Sequence, residues 1–326
     1  VKCVARRLLP TLARALNEYH DTDHGNRYWE IVLGHWLLRY ISVVFNRFAT
    51  LKHALGKHEP VGTLVFSDDA TSLATTGSVD FIWACNNDHW NNILYGRVLT
   101  FLGVCTETTE RLKVPLGATR LTARARLGSA HMFSTAAARC LSFLAREDDA
   151  FLLSTYLPKA QRLWLELSLG QCPQLRSSPS PVIPGADASE RCGFHVAFDV
   201  EQEFERFLTE QLPLMIPSCF LEGRRALLEQ VSRLRWPRRP KLIFTSNNFD
   251  SDELFKVWVA KLAEQGTPYV AGQHGNNYGT HLWWGGDFWP ERSVTDRFIS
   301  WGWTDDDPRT KPAFLLKTAG RKPRST

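Results

Sequence analysis

With 326 residues, 44% hydrophobic and 22% charged, the chain has the make-up of an ordinary soluble globular protein, long enough for two domains or one large one with ample core. Its net charge of +5 is a mild, dispersed excess, which argues against a nucleic-acid partner. Seven cysteines (Cys3, Cys85, Cys105, Cys140, Cys172, Cys192, Cys219) form an odd, widely spaced set with no CxxC pair. That pattern suits reduced thiols and argues against a disulfide framework and against a zinc site.

Residues 2–19 carry Val4, Leu8, Leu12, Leu16 and Tyr19 at helical spacing, and they are expected to be a helix of the folded protein and not a signal peptide. After a polar turn at 20–26, residues 27–55 predict a long helix dense in apolar side chains. His35, Arg39, Asn46 and Arg47 interrupt that run well short of the roughly 18–20 clean residues a membrane span needs, so it reads as a buried helix. A short strand is expected at 63–67, ending at Asp68-Asp69, followed by helices at 79–84 and 89–102 on either side of Asn86-Asn87-Asp88. Residues 106–126 read as irregular and basic, 130–145 as a helix, 151–155 as a strand opening onto a loop and 158–169 as a helix. The stretch 173–190, rich in Pro, Ser and Gly, is the clearest break in composition and serves as a mobile loop or a domain joint. Helices follow at 200–212 and 218–234.

Residues 241–279 read as one β-α-β unit. A short apolar run at 241–245 stops at Ser246-Asn247-Asn248. Asp250-Ser251-Asp252-Glu253 then sets N-cap side chains and acids where a helix's first N–H groups need them, so the DxD pattern is explained by capping before metal binding. The helix at 254–264 is expected to bury Leu254, Val257, Trp258, Lys261 and Leu262 on one face, and Gly266-Thr267-Pro268 ends it. A second strand at 269–271 runs into Gly272-Gln273-His274-Gly275. Parallel strands joined by a crossover helix finish on the same edge of their sheet, so both polar endings are expected side by side there. A last strand falls within 296–303.

The chemistry concentrates at that edge. Gln273, His274, Gly275, Asn276, Asn277, Tyr278 and Gly279 combine donors, acceptors and two turn-permitting glycines. A histidine there takes a proton from a hydroxyl near neutral pH, or donates a hydrogen bond to a phosphate; its bland alternative is to tie the turn to a neighbouring carbonyl. Ser246, Asn247 and Asn248 are either cleft lining or plain turn formers. Glu291 and Asp296 read first as solvent-facing charges, with Glu291 kept as a candidate substrate contact. His20, His24, His35 and His89 read as structural. GxGxxG, Walker, HExxH and GxSxG patterns are missing, so the usual dinucleotide, NTPase, zinc-protease and hydrolase signatures give no guide.

Alternating strands and helices define an α/β fold class: a Rossmann-like, doubly wound parallel sheet with additional N-terminal helices. The expected organisation is a helix-rich α/β part at 1–172, the linker or loop at 173–190, a Rossmann-like part at 191–310 and, at 311–326, a basic, Pro-containing tail without a closing element that is expected to start an interdomain segment.

Arg27-Tyr28-Trp29-Glu30-Ile31-Val32-Leu33-Gly34-His35-Trp36-Leu37 resembles the RYWxILLGPWL segment of a family of bacterial transferases found with O-antigen and other surface-carbohydrate genes. The segments 168–174, 240–249, 272–279 and 296–303 agree with the same family. His35 stands where that family usually has proline, and Asn276-Asn277 replaces a more glycine-rich pair. The resemblance implies one lobe of a two-lobed GT-B-like architecture, similar to capsule, Kdo and polyol-phosphate transferases with a QHG-like turn. It also implies a longer whole protein, so the chain is expected to lack most of a C-terminal lobe. The activity it implies is transfer of a glycosyl group from a nucleotide-sugar donor to a carbohydrate or lipid-linked saccharide acceptor. No cofactor and no metal are expected beyond that donor. His274 is then the catalytic base or a phosphate-binding donor. Ser246, Asn247, Asn248, Gln273, Gly275, Asn276, Tyr278, Gly279 and Glu291 are candidate substrate contacts. The setting is the cytoplasm, with peripheral contact with the inner membrane left open. Polyol-phosphate transfer and non-catalytic carbohydrate binding are the alternatives.

Overall fold

The computed structural model describes residues 1–58, 63–104, 106–109, 145–174, 176–275, 277–278, 280 and 288–321. The expected helix at 130–145 falls almost wholly outside them. In chain order the elements are α1 (Lys2–His20), α2 (Asn26–Leu55), β1 (Leu64–Phe66), α3 (Ser78–Ala84), α4 (Asp88–Phe101) and β2 (Glu107–Thr109). These are followed by β3 (Phe151–Leu153), α5 (Lys159–Ser168), α6 (Ala188–Arg191), α7 (Glu203–Met215), α8 (Arg224–Ser232) and β4 (Ile243–Thr245). The chain continues with α9 (Glu253–Glu264), β5 (Tyr269–Gly272), α10 (Pro290–Ser293), β6 (Arg297–Ser300) and β7 (Thr310–Pro312). No helix among them is long and apolar enough to cross a membrane. The five cysteines among the described residues are free thiols.

The chain divides into two units, one of Val1–Trp29, Leu33–Thr122 and Pro181–Glu229, the other of Glu30–Val32, Ala123–Ser180 and Gln230–Thr326. In the first, the apolar stripe of α1 and the Trp- and Tyr-rich start of α2 are core: Leu8, Leu12, Leu16, Trp36 and Tyr40 have no exposure. Asn17 joins the two helices by accepting from the His24 amide (3.1 Å) and the Trp29 indole (2.9 Å). The strands β1 and β2 pair in parallel, Leu64 with Glu107 and Phe66 with Thr109. Residues 107–109 are therefore strand, where the sequence suggested irregular chain; Thr108 and Thr109 are β-branched and their backbone completes the ladder. The helix expected at 218–234 is broken. Residues Ser218–Phe220 form a 3-10 turn, and the helix resumes only at Arg224. The break lies at Leu221, whose backbone (φ −117°, ψ −103°) is not helical; the turn is closed by the Gly223 amide on the Ser218 carbonyl (2.7 Å), and a Cβ at 223 would lie 2.7 Å from an Ile183 methyl.

The second unit is a Rossmann-like α/β fold. Five short parallel strands lie in the order β3-β4-β5-β6-β7, flanked by helices. The central β-α-β unit is as expected: Ile243 pairs with Tyr269 and Thr245 with Ala271, in parallel register. Asp252 caps α9, accepting from the Phe255 amide at 3.1 Å. The helix is buried nearly all round, with Lys261 and Glu264 as its exceptions: Lys261 faces solvent, whereas the buried Lys256 is paired with Glu253 (2.8 Å). The segment 168–174 is structural. The Gln171 side chain both accepts from the Ala150 amide (2.7 Å) and donates to its carbonyl (2.9 Å), extending β3 by one residue with side-chain bonds.

Candidate active site at the carboxyl edge of the five-stranded sheet

All five strands of this sheet run the same way, so the residues after β3, β4, β5 and β6 collect on one edge. Each ending is held differently. After β4, Ser246 is fully buried and straps the neighbouring strand: its amide donates to the Ser154 carbonyl (3.1 Å) and its hydroxyl to the Thr155 carbonyl (3.3 Å). The Thr245 hydroxyl accepts the Asn247 and Asn248 amides (3.2 and 3.1 Å), folding the chain over. The Asn248 side chain donates to Asp252 (2.6 Å), which also accepts from Ser178 (2.8 Å). Burial pushes the Asp252 carboxyl above its ordinary value, and the bonds from the Phe255 amide, Asn248 and Ser178 oppose that rise. Asn247 alone of this group has an exposed side chain.

After β5 the arrangement inverts. Gln273 is buried and its amide group is spent as a clamp. The oxygen accepts from the Trp301 amide (2.9 Å) and the Trp303 indole (2.8 Å), and the nitrogen donates to the Gly275 carbonyl (2.6 Å). This ties the β5 ending to the turn Trp301-Gly302-Trp303 after β6, where Gly302 sits at φ 98°. Below it, Tyr278 packs on Trp289 and Phe298 and donates to Glu291 at 2.6 Å. Burial first, then the Glu291 carboxylate, raises the Tyr278 phenol far above its ordinary value, and a main-chain bond from His274 pulls the other way. The phenol thus stays a donor, and it also touches the His274 backbone. Above these braces the His274 side chain is exposed, its ring 5.8 Å from Tyr156 and 6.4 Å from Phe249.

The structure thus brings Ser246, Asn247, Asn248, Gln273, His274 and Gly275 to one edge. Ser246 and Gln273 act from inside as a strap and a clamp. Tyr278 and Glu291 form a buried pair; Glu291 is 1% exposed, not solvent-facing, because the Tyr278 hydroxyl thirteen residues upstream draws it inward. Asn276 and Gly279 lie outside the described residues.

Residues that the sequence did not point to also stand here. Ser154 (φ 50°) and Tyr156 (φ 63°) both adopt the left-handed region, which costs a non-glycine residue about 1–3 kcal/mol and clusters at functional positions. The Lys317 ammonium lies 4.6 Å over the Tyr156 ring. The available sequence signal was the strand at 151–155 opening onto a loop; nothing marks a tyrosine for a left-handed backbone.

Elsewhere, cavities of about 390 and 410 Å³ open in the first unit, and neither is lined by a residue of this edge. In the 390 Å³ cavity the Arg97 guanidinium is already bound by Asp68 (2.6 and 3.0 Å), the Asp69 carbonyl (2.9 Å) and Gln211 (2.9 Å). Four of its five N–H donors are thus engaged by the fold and its charge is paired with Asp68, so reactive chemistry is better served at the sheet edge.

A family model described as LIC12162 family transferase matches residues 1–325 of the chain. No curated protein and no solved structure matches it.

Proposed function

Because the chain belongs to the LIC12162 family of transferases, we propose that it moves a glycosyl group from a nucleotide-activated donor to a sugar hydroxyl during assembly of a bacterial surface polysaccharide. His274 is the general base. The acceptor is a carbohydrate or lipid-linked saccharide, which places the reaction in the cytoplasm, at the inner face of the inner membrane where the acceptor is lipid-linked. The Rossmann-like sheet is read as one lobe of a GT-B-like architecture, and Gln273-His274-Gly275 as its reactive turn.

The observation that carries this reading is the exposed imidazole of His274, raised on a braced turn at the sheet edge. Gln273 and Tyr278 fix the backbone on either side of His274, so the ring needs little reorganisation to meet a substrate. In the transfer step His274 takes the acceptor's hydroxyl proton, the acceptor oxygen bonds to the anomeric carbon, and the bond from that carbon to the donor's phosphate oxygen breaks. The nucleotide leaves with its phosphate. Such a base works within about 2.6–3.2 Å of the hydroxyl it serves.

The test is to present UDP-, GDP- and CMP-linked sugars and CDP-linked polyols with saccharide acceptors and to measure nucleotide release and acceptor mass. The expected result is transfer from one nucleotide-sugar class, lost in His274→Ala. Transfer only from CDP-polyols moves the assignment to polyol-phosphate transfer. Saccharide binding without release moves it to carbohydrate binding, and transfer unchanged in His274→Ala removes the base.

A further inference from the structure

The place in a parallel α/β sheet where phosphate usually binds, the N-terminus of the crossover helix, is taken here. Asp252 caps α9 with its own carboxylate, accepting from the Phe255 amide (3.1 Å), so the protein's own acid stands where an anion would sit; Glu253 behind it is paired with Lys256 (2.8 Å). Beyond β6, Arg292 is paired with Asp305 and Asp307, and Arg309 with Asp307 (2.7 Å). A phosphate at this edge therefore needs another cation. Lys317 is one: among the described residues it makes no ion pair, and its ammonium is held 4.6 Å over the Tyr156 ring.

The chain builds this placement. Leu316 is buried against Leu152 and Phe244, which anchors the 3-10 turn Leu316–Thr318 and sets Lys317 at the edge. On the other side, Ser246 grips the Ser154 and Thr155 carbonyls and keeps Tyr156 in its left-handed conformation, with its ring 5.8 Å from that of His274. Two distant segments are thus spent on holding one ammonium over the aromatic ring that neighbours the exposed imidazole.

We infer that Lys317 and Tyr156 form the phosphate subsite of this edge, the ammonium on the ring holding a phosphate of the activated donor next to His274. This rests on the transferase reading of His274 given above. The aromatic face attracts the ammonium and narrows its freedom, so less ordering remains when the anion arrives. Burial raises the Tyr156 phenol above its ordinary value, so it stays neutral near pH 7 and adds no repulsion. An ammonium is a compact charge that suits a phosphate oxygen without demanding bidentate geometry.

The experiment is equilibrium binding of inorganic pyrophosphate to the 326-residue chain at physiological salt, with Lys317→Gln, Lys317→Arg, Tyr156→Phe and Tyr156→Leu alongside. One lost charge-assisted bond is expected to weaken pyrophosphate by about 10–100-fold in Lys317→Gln. Lys317→Arg and Tyr156→Phe keep most of the binding, and Tyr156→Leu loses much of it. In turnover, Lys317→Gln raises the donor KM and leaves kcat largely unchanged. A chain that does not bind pyrophosphate, or a Lys317→Gln variant that binds it like the parent, overturns the subsite. The two readings separate cleanly. Transfer that needs His274 but ignores Lys317 discards the subsite alone; Lys317-dependent pyrophosphate binding without turnover of any activated sugar keeps the subsite and discards sugar transfer.

Discussion

The endings of β4 and β5 look alike as sequence: a short apolar strand followed by a cluster of polar residues. In the structure they have opposite roles. After β4, the polar atoms of Thr245, Ser246 and Asn248 are consumed by the fold itself, in a strap to the β3 ending and a cap on α9. After β5, Gln273 clamps the turn and Tyr278 braces the main chain of His274, whose side chain is left exposed. Polar residues at a strand end therefore mark a functional edge only once the bonds they owe to the backbone have been counted.

That contrast breaks most visibly at His274. His274→Ala is expected to lower transfer by about 10²–10⁴ with little change in Tm, because its exposed ring supports no packing. Ser246→Val is expected to do the reverse, unfolding earlier because the buried Thr155 carbonyl of a strained loop loses the hydroxyl that straps it, while the amide bond to Ser154 remains. Measuring rate and Tm on both variants decides it: a His274 variant that melts early removes the distinction between the two endings.

A second histidine sharpens the comparison through pH. His20 is held in the first unit with its Nε2 2.8 Å from the Phe220 carbonyl, and burial lowers its pKa from the ordinary 6.5 to about 4, against that bond. A base whose folded pKa is depressed binds fewer protons folded than unfolded between these values, so stability falls as the pH drops from 6.5 towards 4. The loss is on the order of 2–3 kcal/mol. Urea melts between pH 7 and 4 are expected to show it in the parent and in His274→Ala, and to lose it in His20→Gln. If it vanishes in His274→Ala instead, the exposed ring has been assigned the wrong role.

How much of this the sequence displayed depends on the range of the interaction. The β-α-β unit was legible, because apolar runs, Asp252 as cap and the turn at Gly266 are all local signals. Lys261 was misplaced because helical periodicity gives a face and not its depth. The helix expected at 218–234 breaks at Leu221, and the place of Gly223 beside it, packed on Ile183 forty residues away, is not carried by any local pattern. The inward turn of Glu291 needed Tyr278, and the pairing of Lys317 with Tyr156 needed the whole sheet between them. Local chemistry pointed to His274; its surroundings come from contacts between strands.

Gly272 connects the two endings directly. A Cβ there would lie 2.3 Å from the Ser246 hydroxyl and 3.1 Å from the Phe244 ring. The hydroxyl is fixed by its bond to Thr155, so it cannot swing aside without releasing the strap. Gly272→Ala is expected to cost about 1–3 kcal/mol by overpacking. Adding Ser246→Ala removes the struck oxygen, so the double variant is expected to lose less than the sum of the two single changes. Strict additivity in denaturant melts would mean that β5 meets Ser246 more loosely than this.

The smallest effect tests whether the β4 ending contributes to the site at all. Asn247 has the exposed side chain of its group, and its backbone amide, not its side chain, is what Thr245 holds. Asn247→Ala therefore leaves every described bond of the fold in place, and a stability change within about 0.5 kcal/mol is expected. If the β4 ending lines the substrate cleft, the side-chain amide makes one hydrogen bond to substrate, worth about 0.5–1.5 kcal/mol, and transfer falls by roughly two- to tenfold. If the ending is scaffold only, transfer is unchanged while Asn248→Ala, which unties Asp252, lowers Tm. An unchanged rate in Asn247→Ala would confine the reactive edge to β3, β5 and the Lys317 turn, with β4 serving only to hold them.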